Sequence, residues 1–192
     1  MKSIAIEGID GSGKSTLAGD LFDRLMDLGY KVHLQHFPNY TSKTGKIIKE
    51  ILTGPDKIDE TLLRLLFAAD RRETSVKWRD LDVDFIILDR YITSGIIYGQ
   101  AKNFQKSWLI ALDFLNYKAH YEFILRIPIK DAIERIMKRS QGPDQYDIDY
   151  ELLIKCKELY DDMPHRNSLN ALDSVEYNIN AILEIVLDKK AD

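Results

Sequence analysis

Hydrophobic residues recur along the chain with two alternating spacings, one typical of buried strands and the other of amphipathic helices. Apolar runs at 4–6 and 84–89 predict buried strands, and the alternation of apolar and polar residues at 31–35 predicts another. Similar patterns predict strands at 121–127 and 175–178. Between these runs the spacing becomes helical, at residues 14–28, 44–52, 60–78, 94–98, 107–117, 130–139, 150–162 and 180–189.

The alternation of strands with helices predicts an α/β fold with a doubly wound parallel sheet of about five strands, flanked by helices. Ligands of such sheets bind at the carboxyl ends of the strands. The length of 192 residues suits one domain, and the chain contains no internal repeat or linker. We therefore expect a single domain over residues 1–192, in which a loop with glycine and proline occupies 140–147.

The end of the first predicted strand leads into the most specific motif in the chain. Residues 8–16 match the pattern G-x-x-x-x-G-K-S of a phosphate-binding loop, or P-loop. The loop N–H groups and the following helix attract an anion, Lys14 adds a positive charge for the β- and γ-phosphates, and Ser15 offers a hydroxyl to Mg²⁺. The motif predicts a P-loop NTPase-type fold that binds a nucleoside triphosphate. The predicted binding residues are Gly8, Asp10, Gly11, Ser12, Gly13, Lys14, Ser15 and Thr16.

An acidic residue, Asp89, ends the buried run at 84–89 and is followed by Arg90. Because the carboxyl ends of parallel strands meet at one edge, Asp89 is predicted to hold Mg²⁺ together with Ser15, directly or through water. A helix cap or a structural ion pair is the alternative role for this carboxylate. Arg90 can bind a phosphate through two parallel hydrogen bonds.

The helix predicted at 60–78 carries an aromatic ring and a guanidinium on one face, because Phe67 and Arg71 are four residues apart. Such a pair can stack on a nucleobase and hydrogen-bond its edge. On their own, however, a core position for Phe67 and a solvated face for Arg71 and Arg72 explain these residues at least as well.

Composition argues against several classes of function. The chain carries 27 basic and 31 acidic residues, and its net charge of −4 argues against a surface for nucleic acid. The single cysteine, Cys156, cannot form an internal disulfide and fits a reducing compartment. The chain has no run of 18 apolar residues and no signal peptide before the first strand. We therefore expect a soluble, cytoplasmic protein that does not associate with a membrane.

In combination, these motifs resemble the thymidylate kinase family, whose members phosphorylate dTMP with ATP. The resemblance implies a nucleoside monophosphate kinase domain with a lid near 140–147, conversion of dTMP to dTDP, ATP and Mg²⁺ as cofactors, and a homodimer. It extends from Met1 to about Tyr160. It rests on residues 7–16, on Phe37-Pro38, on residues 66–71, and on Asp89-Arg90-Tyr91 followed by Ser94 and Tyr98.

The family's residue roles pass to the matching positions of this chain. The resemblance implies that Phe67 stacks on thymine, that Arg71 donates to a base carbonyl and that Arg90 binds the acceptor phosphate. Tyr98 then lies under the deoxyribose, and Asp10 lies near the sugar or phosphate of the acceptor.

Other matching positions complete the implied site. Phe37 and Pro38 wall the monophosphate site, Ser94 is a further acceptor ligand, and Arg139 packs over adenine. The catalytic residues implied by the resemblance are Lys14, Asp10, Arg90 and Arg139.

The chain departs from the family pattern at basic positions. Members usually carry a catalytic arginine in the P-loop or in the lid, but these positions hold Gly11 and Gln145 here, and Tyr40 stands where an arginine is common. Each missing cation removes charge stabilisation from the transferring phosphoryl group. Arg139 or Lys138 is expected to supply it.

Three other functions share parts of this set of motifs. A deoxynucleoside kinase would phosphorylate thymidine and would need a carboxylate base, for which Asp89 and Glu7 are candidates. A kinase for another nucleoside monophosphate is compatible with the altered basic residues. A GTP-binding switch would require an N-K-x-D motif, and the chain contains no Asn-Lys pair. The apolar faces of the helices predicted at 60–78 and 107–117 fit either the homodimer or a monomer core.

Overall fold

The computed structural model describes residues 1–55, 58–138, 149–164 and 167–188. Strands and helices alternate along these ranges, and a 3₁₀ helix spans Val76–Asp80. The strands are β1 (Lys2–Glu7), β2 (Val32–His36), β3 (Phe85–Asp89), β4 (Tyr121–Arg126) and β5 (Ser168–Asn170). The α-helices are α1 (Lys14–Asp27), α2 (Lys43–Thr53), α3 (Glu60–Ser75), α4 (Ile92–Ala101), α5 (Lys106–Leu112), α6 (Ile129–Met137), α7 (Tyr150–Asp161) and α8 (Val175–Val186).

The strands form one parallel sheet in the order β2-β3-β1-β4-β5. The first strand lies in the middle of the sheet, where Ile4 pairs with Ile87 of β3 and with Tyr121 of β4. The apolar runs of β1 and β3 suit these inner positions, because both faces of an inner strand are covered by helices. This arrangement confirms the predicted doubly wound α/β fold.

Helices cover the sheet on both faces. On one face, Leu21 of α1 and Ile182 of α8 share a core with Ile6 and Phe123. On the other face, α4, α6 and α7 form a second core with Ile124. Phe123 and Ile124 serve opposite cores because successive residues of a strand point to opposite faces of the sheet.

Three segments that carry predicted site residues leave the sheet at the same edge. β1 ends at Glu7 before the P-loop, β2 ends at His36 before Phe37-Pro38, and β3 ends at Asp89. Asp89 is paired in register with both Ile6 and His36, so these strand ends are neighbours. The peptide bond between Phe37 and Pro38 is cis. The sheet therefore gathers the candidate site at its carboxyl edge.

The strand predicted at 175–178 is wrong. These residues form the first turn of α8, and the fifth strand is Ser168–Asn170. Ser174 caps the helix, because its side-chain oxygen accepts a hydrogen bond from the backbone N–H of Tyr177. Buried residues then recur along α8 at helical spacing, which a four-residue window was too short to reveal.

Several predicted helices end earlier than expected, including those predicted at 107–117 and 60–78. The helix predicted at 107–117 ends at Leu112, and the chain turns where the N–H of Asn116 bonds to the backbone oxygen of Asp113. The α-helical part of the segment predicted at 60–78 ends at Ser75, and the 3₁₀ helix continues it.

The predicted lid at 140–147 and Arg139 lie outside the described residues. The helices on either side of that segment, α6 and α7, were both predicted and are both present. Among the described residues, no helix is both long enough and apolar enough to cross a membrane.

Candidate active site

The P-loop packs tightly against neighbouring backbone. Gly8 and Gly11 have φ angles of 147° and 79°, which favour glycine. A Cβ atom at Gly11 would lie 2.3 Å from the backbone oxygen of Ala132 in α6, and one at Gly8 would lie 2.6 Å from the backbone oxygen of Leu125. The loop is therefore held by β4 and α6, and the packing fixes the direction of its N–H groups.

Two cations contact the P-loop from different sides. Lys14, the first residue of α1, is buried and donates a hydrogen bond of 2.6 Å to the backbone oxygen of Ile9. Arg135 of α6 donates a hydrogen bond of 3.0 Å to the backbone oxygen of Ser12, and another of 3.0 Å to that of Ala171. The role of Arg135 could not be predicted from sequence, because its partners are backbone atoms far along the chain.

Asp89 lies beside the P-loop, where it contacts the hydroxyl of Ser15. Nδ1 of His36 lies 2.9 Å from Oδ2 of Asp89. Burial would raise the pKa of the Asp89 carboxyl, but the hydrogen bond from His36, the charge of Lys14 and the hydroxyl of Ser15 hold that pKa below its usual value. Oδ1 of Asp89 is buried and makes no hydrogen bond within the described residues. An ionised carboxylate beside a hydroxyl fits Mg²⁺, which prefers oxygen ligands.

Arg90 is held against the P-loop by a carboxylate of that loop. Its φ angle of 63° lies in the left-handed region, which few residues other than glycine adopt. The guanidinium pairs with Asp10 and lies 5.4 Å from the centre of the Tyr98 ring. Asp10 also accepts a hydrogen bond of 2.5 Å from the hydroxyl of Tyr98. One carboxylate therefore holds two residues that the resemblance assigns to the acceptor.

Behind Arg90, the buried Glu7 organises the start of α4. Its carboxylate accepts hydrogen bonds from the backbone N–H of Tyr91 at 2.8 Å and from the hydroxyl of Ser94 at 2.5 Å. The hydroxyl of Tyr160 in α7 lies 3.3 Å from the same carboxylate. Burial raises the pKa of Glu7 above its ordinary value. Ser94, predicted as an acceptor ligand, lines the cavity and also links Glu7 to α4.

A second carboxyl group, Glu122 of β4, lies on the same side of the sheet as Glu7. It accepts hydrogen bonds of 3.0 and 2.9 Å from the hydroxyl of Thr93. Burial and the neighbouring charge of Glu7 raise the pKa of Glu122 to about 7. Two adjacent hydroxyl residues of α4 are therefore tied to two carboxyl groups of the sheet.

The raised pKa of Glu122 predicts a pH-dependent stability. Because the pKa is higher in the folded chain than its ordinary value of 4.5, the stability that the group contributes is complete below pH 4.5 and is lost as the pH rises through 7. We expect Glu122→Gln to raise the free energy of unfolding at pH 8.5 by on the order of 2 kcal/mol, with a much smaller change at pH 5. Urea denaturation at both pH values measures this, with the exposed Glu151→Gln as control. Equal effects at the two pH values would contradict it.

One cavity of about 540 Å³ extends from the P-loop to α3. The predicted site residues in its lining are Asp10, Gly13, Lys14, Ser15, Thr16, Phe37, Pro38, Phe67, Arg71, Asp89, Arg90, Ser94 and Tyr98. Gly8, Gly11 and Ser12 support the loop and are not in the lining. The structure therefore brings the residues predicted for the donor and for the acceptor to one space.

Arg71 is held from behind by Asp113, which the sequence analysis missed. Nε and Nη2 of Arg71 each donate a hydrogen bond of 2.7 Å to the carboxylate of Asp113, and both side chains are buried. Asn116 donates a further hydrogen bond of 2.6 Å to Asp113. The pair fixes the plane of the guanidinium at the cavity wall.

The wall formed by Phe37 and Pro38 is supported by buried neighbours. The Phe37 ring packs against Tyr91, with the ring centres 5.3 Å apart. Asp70 of α3 accepts hydrogen bonds from the backbone N–H of Asn39 at 2.7 Å and from the hydroxyl of Ser42 at 2.6 Å. The helix that carries Phe67 and Arg71 therefore also positions the segment after Pro38.

Comparison with known proteins agrees with this arrangement. A family model described as thymidylate kinase matches residues 6–182. The probable thymidylate kinase of Thermococcus kodakarensis is 34% identical over 198 residues, covering 95% of this chain and 96% of the relative. The probable thymidylate kinase 1 of Saccharolobus solfataricus is 39% identical over 166 residues, covering 83% of this chain and 81% of the relative. The solved structure of thymidylate kinase from Candida albicans is similar with a TM-score of 0.78 at 28% identity, covering 97% of this chain and 91% of that one.

Proposed function

The chain belongs to the thymidylate kinase family and phosphorylates dTMP, and from this premise we propose that ATP is the donor, with Mg²⁺, in the cavity between the P-loop and α3. The observation that carries the proposal is that Lys14 and Arg90 line the same cavity. One cation suits the phosphates of the donor and the other suits the phosphate of the acceptor. Two phosphates held side by side allow direct in-line transfer.

On the donor side, the N–H groups of the P-loop and the ammonium of Lys14 bind the phosphates of ATP. Ser15 and Asp89 hold Mg²⁺, which when bound neutralises negative charge on the phosphate oxygens. The low pKa of Asp89 and its contact with His36 keep this carboxylate ionised and oriented for the role.

On the acceptor side, Phe67 stacks on thymine, Arg71 donates to a carbonyl of the base and Arg90 binds the phosphate. Tyr98 lies under the deoxyribose, where the hydrogen bond to Asp10 holds its ring in place. Each of these side chains lines the cavity, and Arg71, Arg90 and Tyr98 are each paired with a carboxylate.

The acceptor requires no carboxylate base. A phosphate monoester has a second pKa of about 6 and is already anionic near neutral pH. A deoxynucleoside kinase, in contrast, needs a base to deprotonate a hydroxyl. Of the two candidates for that base, Glu7 is buried behind Arg90 and accepts hydrogen bonds from Ser94 and Tyr91, and Asp89 is assigned to Mg²⁺. This arrangement favours dTMP over thymidine.

For the charge that is absent at Gly11, we propose Arg139, which lies outside the described residues. The neighbouring Lys138 is exposed and pairs with Glu134, and Arg135 donates to the backbone oxygen of Ser12 in the P-loop. Closure of the lid at 140–147 would bring Arg139 to the donor and exclude water from the transferring group.

Turnover with a panel of acceptors tests the proposal. ADP release is measured with ATP and Mg²⁺ against dTMP, dUMP, dGMP, dCMP, AMP, UMP and thymidine. We expect strong turnover with dTMP and none without Mg²⁺. Turnover with thymidine in the absence of turnover with dTMP would contradict the proposed acceptor site.

We further propose a homodimer that forms through α3 and the turn after α5. Phe114 and Leu115 are 79% and 71% exposed, and Leu62 and Leu65 of α3 are exposed as well. Arg72 of α3 donates a hydrogen bond to the backbone oxygen of Leu115, so the two segments are adjacent. Exposed apolar side chains grouped in this way are typical of protein interfaces.

Substitution within this apolar group tests the dimer. Leu115→Glu is expected to convert the dimer to a monomer, because a charge in the interface leaves a carboxylate without water or a partner. Sedimentation velocity measures the mass, with Leu172→Glu, which is 54% exposed near β5, as the control. A wild-type chain that sediments as a monomer would refute the dimer.

We also propose that the enzyme is cytoplasmic. Cys156 is a free, buried thiol, which fits a reducing compartment. The proposed donor and the acceptor are both intracellular nucleotides.

A further inference from the structure

Arg90 has a backbone conformation that a residue with a Cβ atom does not favour. Its φ angle of 63° lies in the left-handed region. A conformation of this kind persists only where the surrounding structure imposes it. The guanidinium of Arg90 is the proposed ligand of the acceptor phosphate, so the contacts that impose the conformation also decide where this cation lies.

The backbone on both sides of Arg90 is hydrogen-bonded to β1. The N–H of Arg90 donates to the backbone oxygen of Ile6 at 3.1 Å. The N–H of the next residue, Tyr91, donates to Oε1 of Glu7 at 2.8 Å. The first bond involves backbone atoms alone and would form with any side chain at position 6. The second bond depends on the side chain of Glu7.

Glu7 also takes the place of a helix cap. The first N–H groups of a helix have no partner within the helix. The N-cap residue of α4, Tyr91, makes no capping hydrogen bond with its side chain. Instead, Oε2 of Glu7 accepts a hydrogen bond of 2.5 Å from the hydroxyl of Ser94 in the first turn. Both oxygens of Glu7 therefore hold the start of α4, directly after the strained residue.

The side chain of Glu7 is separated from the cavity by the residues that it holds. Its exposed fraction is 0%, and it is not part of the cavity lining, whereas Arg90 and Ser94 are. Nη1 of Arg90 lies 3.4 Å from the hydroxyl oxygen of Ser94, so Ser94 contacts both residues. Glu7 can therefore influence a ligand in the cavity only through its neighbours.

We propose that Glu7 is a positioning residue for the acceptor phosphate, which acts by holding the backbone around Arg90. The inference rests on the proposed function, in which Arg90 binds that phosphate. Without the acceptor oxygen for the N–H of Tyr91, the left-handed conformation of Arg90 loses its side-chain support and relaxes. The guanidinium then moves away from the phosphate position. The base lies on α3 and keeps its contacts.

Two ligands that differ only in the phosphate test this role. Titration calorimetry gives Kd for dTMP and for thymidine, and the ratio of the thymidine value to the dTMP value measures what the phosphate contributes. Glu7→Met removes both acceptor oxygens and keeps the length of the side chain. It should lower the ratio about tenfold, with Kd for thymidine within about twofold of the wild type.

A double-mutant cycle shows whether Glu7 acts through Arg90. Arg90→Met alone should lower the ratio about 100-fold. Adding Glu7→Met should then change it by less than about twofold, because the cation that Glu7 positions is absent. Glu122→Met is the matched control, since Glu122 is a half-buried carboxyl group that binds the adjacent hydroxyl of Thr93. This control should leave the ratio unchanged.

A milder variant decides the question if Glu7→Met does not fold. Glu7→Asp keeps the carboxyl group but withdraws it by one methylene from the N–H of Tyr91. It should lower the ratio about threefold, and this effect should also disappear in the Arg90→Met background.

Three results would overturn the inference. One is an unchanged ratio in the Glu7 variant, and another is an equal weakening of dTMP and thymidine, which indicates a general disturbance of the cavity. The third is a ratio that falls as far in the Arg90→Met background as in the wild type. If Arg90→Met itself leaves the ratio unchanged, the proposed phosphate site is refuted instead, so the two failures are distinguishable.

Discussion

Replacing Lys14 by methionine is expected to lower kcat for dTMP about 1,000-fold while the fold remains intact. Lys14 is buried at the start of α1 and reaches the backbone oxygen of Ile9 inside the P-loop. Methionine fills a similar volume but carries no charge. The charge that develops on the transferring phosphoryl group then loses the cation closest to the loop.

Steady-state ADP release with saturating ATP and dTMP measures this effect. Lys46→Met, on the exposed side of α2, removes the same charge away from the cavity and should keep the wild-type kcat. Thermal unfolding of both variants tests whether the fold is intact. A Lys14→Met enzyme that retains more than about a tenth of the wild-type kcat would contradict the role assigned to Lys14.

Replacing Asp113 by alanine is expected to lower the free energy of unfolding by about 3–5 kcal/mol. Asp113 and Arg71 are both buried and are joined by two hydrogen bonds of 2.7 Å. Removal of the carboxylate leaves the guanidinium buried without its counter-charge, which costs far more than an exposed ion pair contributes. The same variant should raise KM for dTMP, since Arg71 loses its fixed orientation at the cavity wall.

Urea denaturation measures the stability change, and the slope of the unfolding transition shows whether the transition stays two-state. Asp113→Asn keeps the shape of the side chain and should fall between the wild type and Asp113→Ala. Asp23→Ala, which removes an exposed carboxylate from α1, is the control. If Asp113→Ala lowers the free energy of unfolding no more than this control does, the stabilising role assigned to the buried pair is contradicted.

The fold could be predicted from sequence because the patterns that indicate its strands and helices each lie within a short stretch of the chain. The apolar runs of β1 and β3 and the P-loop between β1 and α1 each lie within a dozen residues, so spacing alone reveals them. The prediction of a strand at 175–178 was wrong because a pattern of four residues cannot distinguish an apolar strand from the first turn of a helix. The cap at Ser174 was the local signal that identifies the helix.

In the candidate site, sequence could predict only those residues whose side chain and motif together indicate a ligand, such as a cation beside a phosphate-binding loop. Lys14 and Arg90 were visible for that reason, and both line the cavity. The contact between Asp113 and Arg71 was not predicted, because the two residues are 42 positions apart in the chain. The contact between Glu7 and Ser94 was missed for the same reason, since 87 positions separate them. A carboxylate that supports another residue looks like any acidic residue until the fold brings the two together.

Asp10 belongs to both halves of the site, since it stands in the P-loop and its carboxylate holds Arg90 and Tyr98. A shift of the loop on donor binding would therefore reach the groups that are proposed to receive the acceptor phosphate and sugar. Such a shift would link the two substrates thermodynamically, and each would change the affinity of the other by the same factor. We therefore expect one side chain in the loop to couple the two binding equilibria.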